Sequence, residues 1–254
     1  VSVTVHHDGA LVDRLDADPG RDYLAHCALM HHGNQSLTGT DVFHGRWDDE
    51  EGSGFDEALQ VHEATNVPGN FHLSGPLQSS ADWDAIHGDP VDFNAWLAAG
   101  AAAGWAGMIT SAYAQHIMPF VSDTMNDWSV NIHSDMTAAR YGYTPTVAWV
   151  PERVWLTPGQ YPSASVIDHL ADNFLDHGVG AVILDDDVHC AGYDNHQIHT
   201  LAGSSLRIIP RDSHFTGQLH AGNGAGALAV LTGLAGGGVG DFRIAVYAAA
   251  WAMP

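Results

Sequence analysis

The chain has 254 residues, 45% of them apolar, and a formal charge of −22 from 30 acids against 8 cations. That length and apolar content suit one large domain and exclude a disordered acidic tail. The charge excludes a nucleic-acid surface or an anionic-membrane surface, and no apolar run is long enough and free enough of polar breaks to predict a membrane-spanning helix.

In chain order, Val1 to Val5 alternates as a strand does, rather than as a signal peptide, and runs into His6-His7-Asp8. Residues 12 to 33 read as a helix, with Leu15, Tyr23, Leu24, Cys27 and Leu29 as its apolar points. Residues 45 to 70 are acidic and Gly-rich and read as a long loop. Phe71 to Ser74 is a short strand, 91 to 104 a helix, Trp105 to Ser111 a strand and 121 to 140 a helix. Thr146 to Val150 is a strand closed by Pro151 and Glu152. A helix over 163 to 177 ends at Gly178, and the strand Gly180 to Leu184 runs into Asp185-Asp186-Asp187. Leu206 to Ile209 is a strand followed by Arg211-Asp212. Residues 221 to 240 are Gly- and Ala-rich with a helical middle, and Phe242 to Tyr247 is the last strand. Strands alternating with helices predict parallel βα units in one α/β domain over 1–254, because no linker interrupts them. Polar residues just after most strands are expected on the rim where parallel barrels build their sites.

The charged residues are unusual in kind. All eight cations are Arg, none is Lys, and the acids divide into 25 Asp and 5 Glu. Such a charge strains a compact fold by self-repulsion in dilute buffer. In molar salt the Debye length falls to about 3 Å and the repulsion is screened. The composition therefore points to a salt-loving source and a salt-filled cytoplasm. The two cysteines, Cys27 and Cys190, are too few for a disulfide framework and read as buried free thiols.

Glu152 is the leading candidate for chemistry. It is one of only five Glu, it directly follows an apolar strand, and Trp149 and Trp155 flank it. A carboxylate beside aromatic faces suits attack on a sugar ring, and the structural alternative is a salt bridge to Arg153 or a helix-start carboxylate. Asp185-Asp186-Asp187-Val188-His189 offers carboxylates with a nearby His, the donor types of a divalent-metal site, against a solvated acidic loop as its plain reading. No HExxH, CxxC, GxSxG, Walker A or GxGxxG pattern occurs, so no metal or cofactor is expected.

Three stretches together resemble glycoside hydrolase family 57. Trp149-Val150-Pro151-Glu152 resembles the family's Trp-x-Pro-Glu nucleophile motif. Ile109 to Pro119 is similar to its stretch ending in Tyr, His and Pro, and Phe71 to Leu77 to its Ser-Gly-x-Leu stretch. His6-His7-Asp8-Gly9 sits where the family has His-Gln-Pro and matches it only in a His. The resemblance implies an incomplete parallel (β/α)7 barrel acting on α-glucans or α-galactosides with retention and without a metal. It implies Glu152 as nucleophile and His7, His116, Trp149 and Trp155 as contacts to a carbohydrate, each of these four equally readable as core. The family's strand-end acids would fall at Ala249, Ala250 and Ala252, so the acid/base position is occupied by Ala249 or Ala250. Gly107 stands where the family has a Glu, and the helical region that follows the family's barrel would lie beyond Pro254. Two alternatives accompany this reading: a metal-dependent polysaccharide deacetylase using Asp185, Asp186 and His189, and a catalytically inactive carbohydrate-binding barrel. Nothing in the sequence predicts an oligomeric state.

Overall fold

The computed structural model describes residues 3–5, 25–33, 55–86, 92–155, 165–235 and 243–250. Its strands are β1 (Val3–Val5), β2 (Ala25–Gly33), β3 (Gly69–Leu73), β4 (Ala106–Met108), β5 (Val147–Trp149), β6 (Ala181–Asp185), β7 (His199–Thr200), β8 (Arg207–Arg211) and β9 (Arg243–Ala250). Its helices are α1 (Phe55–Thr65), α2 (Gly75–Ile86), α3 (Phe93–Ala103), α4 (Asp123–Tyr141), α5 (Ser165–Leu175), α6 (Ser213–His220) and α7 (Gly224–Ala235). The result is a parallel α/β architecture, compatible with a barrel-like βα fold.

Two sheets carry the strands. In the first, β2 pairs in parallel with β1, β3 and β9, and β3 with β4. In the second, β5 pairs with β6 and β6 with β8, all parallel, while the short β7 runs antiparallel on β8. A parallel bridge between Thr110 and Ala148 joins β4 to β5. At the other side the Asp212 amide donates to Val246 O at 2.8 Å and Arg211 Nε to Ala248 O at 2.8 Å, tying the end of β8 to β9. Parallel pairing sends the C-terminal ends of these strands to one side, where the loops after them gather.

Two sequence expectations are corrected. Residues 25–33, read as the end of a helix, form β2. Its neighbours occupy both of its edges, so the backbone hydrogen bonds that hold it as a strand come from β3 and β9, partners far along the chain. Part of the expected loop at 45 to 70 is helix α1 and the start of β3. Ala58, Leu59 and His62 recur at helical spacing and face the core, and this short apolar stripe is masked in the sequence by the acids around it. Helices α2 and α6 and strand β7 were not anticipated, and β9 continues through Ala250 rather than stopping at Tyr247.

The remaining expected elements fall within a few residues of their predicted bounds, for local reasons. Asp92 caps α3 by accepting from the Ala95 amide at 3.0 Å, and Gly104 closes it at φ 87. Ser122 caps α4 in the same way. Leu59, Phe71, Leu73, Leu77, Phe93 and Leu97 form one core cluster between the first sheet and its helices. Val130, Val150, Trp155, Leu170, Phe174 and Leu184 belong to a second, under the other sheet. A third joins Met30, Ile109, Trp149, Ile183 and Ala248 with half-buried Ile209, so six strand segments each contribute a side chain to it.

Candidate active site

Glu152 sits three residues beyond the last residue of β5. Val150 is still extended (φ −87, ψ 122), and Pro151 then fixes its own φ and offers no amide to extend the sheet. Glu152 itself lies in the left-handed region at φ 50, ψ 13, and Arg153 follows at φ 54. Two successive non-glycine residues there cost about 1–2 kcal/mol each. Such strain is concentrated at functional positions, where the surroundings hold it in place. Here the Arg153 amide bonds to Val150 O at 2.9 Å and the Val154 amide to Pro151 O at 3.1 Å. The turn leaves Glu152 exposed while Pro151 and Trp155 on either side are buried.

Arg153 does not reach back to Glu152. Its Nη1 donates to Asp185 Oδ1 at 3.1 Å, at the end of β6. Arg211 Nη1, at the end of β8, donates to the same oxygen at 3.2 Å. Arg211 also holds Ser213 Oγ at 3.3 Å, and Ser213 donates through both its amide and its hydroxyl to Asp186. The segment that follows β5 and the ends of β6, β8 and β9 are thus laced together by one network that starts at Arg153, the residue next to Glu152. Sequence reasoning missed it; its signal was present, since Arg153, Asp185 and Arg211 each stand just at or after a strand end.

The same network decides the use of the acidic run. Asp185 is neutralised by two guanidinium groups, Asp186 is occupied by Ser213 and Asn195, and Asp187 is exposed. His189 turns instead to the Trp155 amide, accepting at Nε2 over 3.4 Å, and burial lowers its pKa most, with Arg153 acting in the same direction against Asp185. Among the described residues no three of His, Cys, Asp or Glu group to hold a metal ion. Asp185, Asp186 and His189 therefore do not assemble the ligand set that the deacetylase alternative needs. Next to this run, Cys190 is a free, buried thiol whose pKa burial pushes up to about 11.

The other predicted site residues are scattered. Trp149 and Trp155 are buried, at 5% and 3% exposure, and both belong to core clusters, so they wall the turn from beneath. Ala249 and Ala250 lie on β9 opposite His31 and His32 of β2. His7 falls outside the described residues. His116 lies in the loop after β4, with Nε2 2.9 Å from Asn126 Oδ1. That oxygen can only accept, because Asn126 Nδ2 is committed to Met118 O, so Nε2 carries the proton and Nδ1 is left as an acceptor.

A buried polar cluster supports that loop. His133 is fully buried; its Nε2 donates to Leu73 O at 2.7 Å, so its Nδ1 accepts from Thr110 Oγ1 at 2.9 Å. Burial lowers its pKa to about 4, so it is neutral. His72 stacks on it with ring centroids 5.3 Å apart, and Gln115, at φ 55, brings Nε2 within 3.4 Å of His72 Nε2. Ser111 Oγ and Gln115 Oε1 are buried without a partner among the described residues. They are hydrogen-bonding capacity left at the strand ends beside β5.

Comparison with solved structures identifies the architecture. The fold is shared with the 4-α-glucanotransferase of Thermococcus litoralis. The two superpose with a TM-score of 0.68 at 16% identity, over 87% of this chain and 32% of that one. A glycoside hydrolase family 57-type branching enzyme of Pyrococcus horikoshii gives 0.65 at 11% identity, over 89% and 63%. A predicted polysaccharide deacetylase of Mycobacterium smegmatis gives 0.55 at 13%, over 90% and 77%. The chain thus spans about a third of the glucanotransferase and just under two thirds of the branching enzyme. No family model and no curated protein matches the sequence. At these identities the likeness defines a fold used by carbohydrate-active enzymes.

Proposed function

We propose that this chain is the catalytic barrel of a retaining glycoside hydrolase or transglycosylase acting on α-glucans, with Glu152 as nucleophile. The observation that carries the reading is the strained, exposed presentation of Glu152 beyond β5, in a chain whose fold is shared with a 4-α-glucanotransferase and a branching enzyme. Seven parallel strands, in the order β2-β3-β4-β5-β6-β8-β9, form the barrel in this reading. The Thr110–Ala148 bridge, the β8–β9 hydrogen bonds and the cluster fed by six strand segments support it.

In the first half-reaction a Glu152 carboxylate oxygen bonds to the anomeric carbon as the bond from that carbon to the leaving oxygen breaks. A second carboxyl, about 5–5.5 Å away, gives that oxygen its proton. In the second half-reaction the deprotonated second group takes a proton from water or from an acceptor sugar hydroxyl. That oxygen then displaces Glu152 with overall retention. The second carboxyl belongs at 249 or 250 on β9, where this chain has alanines. The chain as it stands is therefore expected to bind α-glucan and to turn it over poorly, which is where the inactive-barrel reading gains its support. Turnover of a maltooligosaccharide should appear when acids are placed at 249, 250 and 252. In that background Glu152→Gln should lower it by at least ~10³-fold while binding stays within severalfold, since the carboxylate acts chiefly in the transition state. Full turnover by the Gln variant would end the assignment.

A further inference from the structure

The loop that carries His116 also forms one wall of a groove that the sequence did not reveal. Its other wall is the first half of α4. Met125, Trp128 and Ile132 stand at i, i+3 and i+7 on that helix, on a single face, and are 56%, 64% and 41% exposed. Between this face and Tyr113 and His116 lies a space of about 480 Å³. None of the residues from Pro151 to Trp155 lines it. Gly75 makes the groove possible: a methyl group there would run into the Tyr113 ring, which the Gly75 amide anchors through Tyr113 O at 2.9 Å.

The chemistry of the groove selects its occupant. Met125, Trp128 and Ile132 give it an apolar lining with one large exposed indole, and Tyr113, Thr124 and His116 add polar side chains to the same lining. Among the described residues no charged side chain lines it, although the chain carries −22 overall, so the lining selects for neither an anion nor a cation. The fitting ligand is neutral, with a flat apolar face to lie on Trp128 and hydroxyls at its edge. A pyranose ring in an oligosaccharide has that shape, with axial hydrogens on one face and hydroxyls around the ring. A purely apolar partner would strand the polar edge atoms without hydrogen bonds. The loop that lines the groove follows β4, and the Thr110–Ala148 bridge ties the start of that loop to β5, the strand that leads to Glu152.

We infer that the Tyr113–His116–Trp128 groove is a second binding site for neutral gluco-oligosaccharide, separate from the Glu152 turn. It grips the glucan chain without taking part in bond cleavage, and it rests on the α-glucan reading above. From Met125 to Ile132 the helix rises about 10 Å, room for roughly two sugar rings.

The test is equilibrium binding of maltoheptaose to the full chain by calorimetry, with acrylamide quenching of tryptophan fluorescence read in parallel. Maltoheptaose should shield a quenchable tryptophan. Trp128→Ala, at an exposed position, should fold normally by circular dichroism, lose that shielding and weaken binding by about tenfold or more, as expected for an aromatic anchor. His116→Ala should weaken it severalfold. Maltoheptaose that binds the Trp128→Ala protein as tightly as the parent would overturn the groove and leave the Glu152 site as the place of binding. No binding by the parent would also overturn the inference. A parent dimer that Trp128→Ala converts to a monomer in sedimentation would assign the groove to a second copy of the chain instead. Failure of the Glu152→Gln turnover test with groove binding intact would remove the nucleophile and leave this site standing.

Discussion

Replacing Asp185 with Asn removes the charge that two arginines share while keeping the side chain's shape and one acceptor oxygen. Arg153 is 41% exposed in its side chain, so water screens its pair with Asp185 and its share is about 0.2–1 kcal/mol. Arg211 is only 17% exposed and is held from two further directions by Ala248 O and Ser213 Oγ. Removing one partner of a buried pair costs roughly 3–5 kcal/mol, an upper bound here because Asn still accepts one hydrogen bond. Together the variant should lose about 2–3 kcal/mol and leave two guanidinium groups facing each other. In urea this is a fall of about 1 M in the unfolding midpoint at unchanged slope. The loss should be the same with and without a chelator. An unchanged midpoint would refute the network as a structural lock. So would a parent protein that a chelator destabilises to the level of the variant, because Asp185 would then be holding a metal rather than two arginines.

Acid should destabilise the protein through its buried histidines. His133 has a folded pKa of about 4 against 6.5 unfolded. Above pH 6.5 it is neutral in both states and its contribution is full. As pH falls from 6.5 to 4 the unfolded chain takes up a proton that the folded one refuses. Stability should then drop by about 1.4 kcal/mol per pH unit. Burial lowers His62, His189 and His220 as well, in the same direction. His133→Gln should flatten this slope, and an unchanged slope in urea titrations across that range would assign the acid sensitivity elsewhere. Salt should act the other way: with −22 on the chain, the melting temperature should rise steeply from dilute buffer to molar KCl. A melt indifferent to KCl would show that the acidic composition has another origin.

Local rules made much of this protein legible from its sequence. The alternation of strands and helices after residue 91, the caps Asp92 and Ser122, and the stop at Gly104 depend on neighbours a few residues apart, so composition and spacing determined them. Glu152 stood out for the same reason, as a rare Glu after an apolar strand and a proline. What the tertiary structure alone decided is whatever depends on partners far along the chain. Residues 25–33 became a strand because β3 and β9 flank them, a fact that no helical periodicity within 12 to 33 could report. The acidic run at 185–187 resembled a metal site until Arg153, 32 residues away, and Arg211, 26 residues away, were seen to converge on a single oxygen of Asp185. Likewise Trp149 and Trp128 are both tryptophans near candidate loops, yet packing buried the first and left the second facing a groove. Side-chain chemistry is written in the sequence; which side of a helix or strand meets solvent, and which charge meets which, is settled only when distant segments pack.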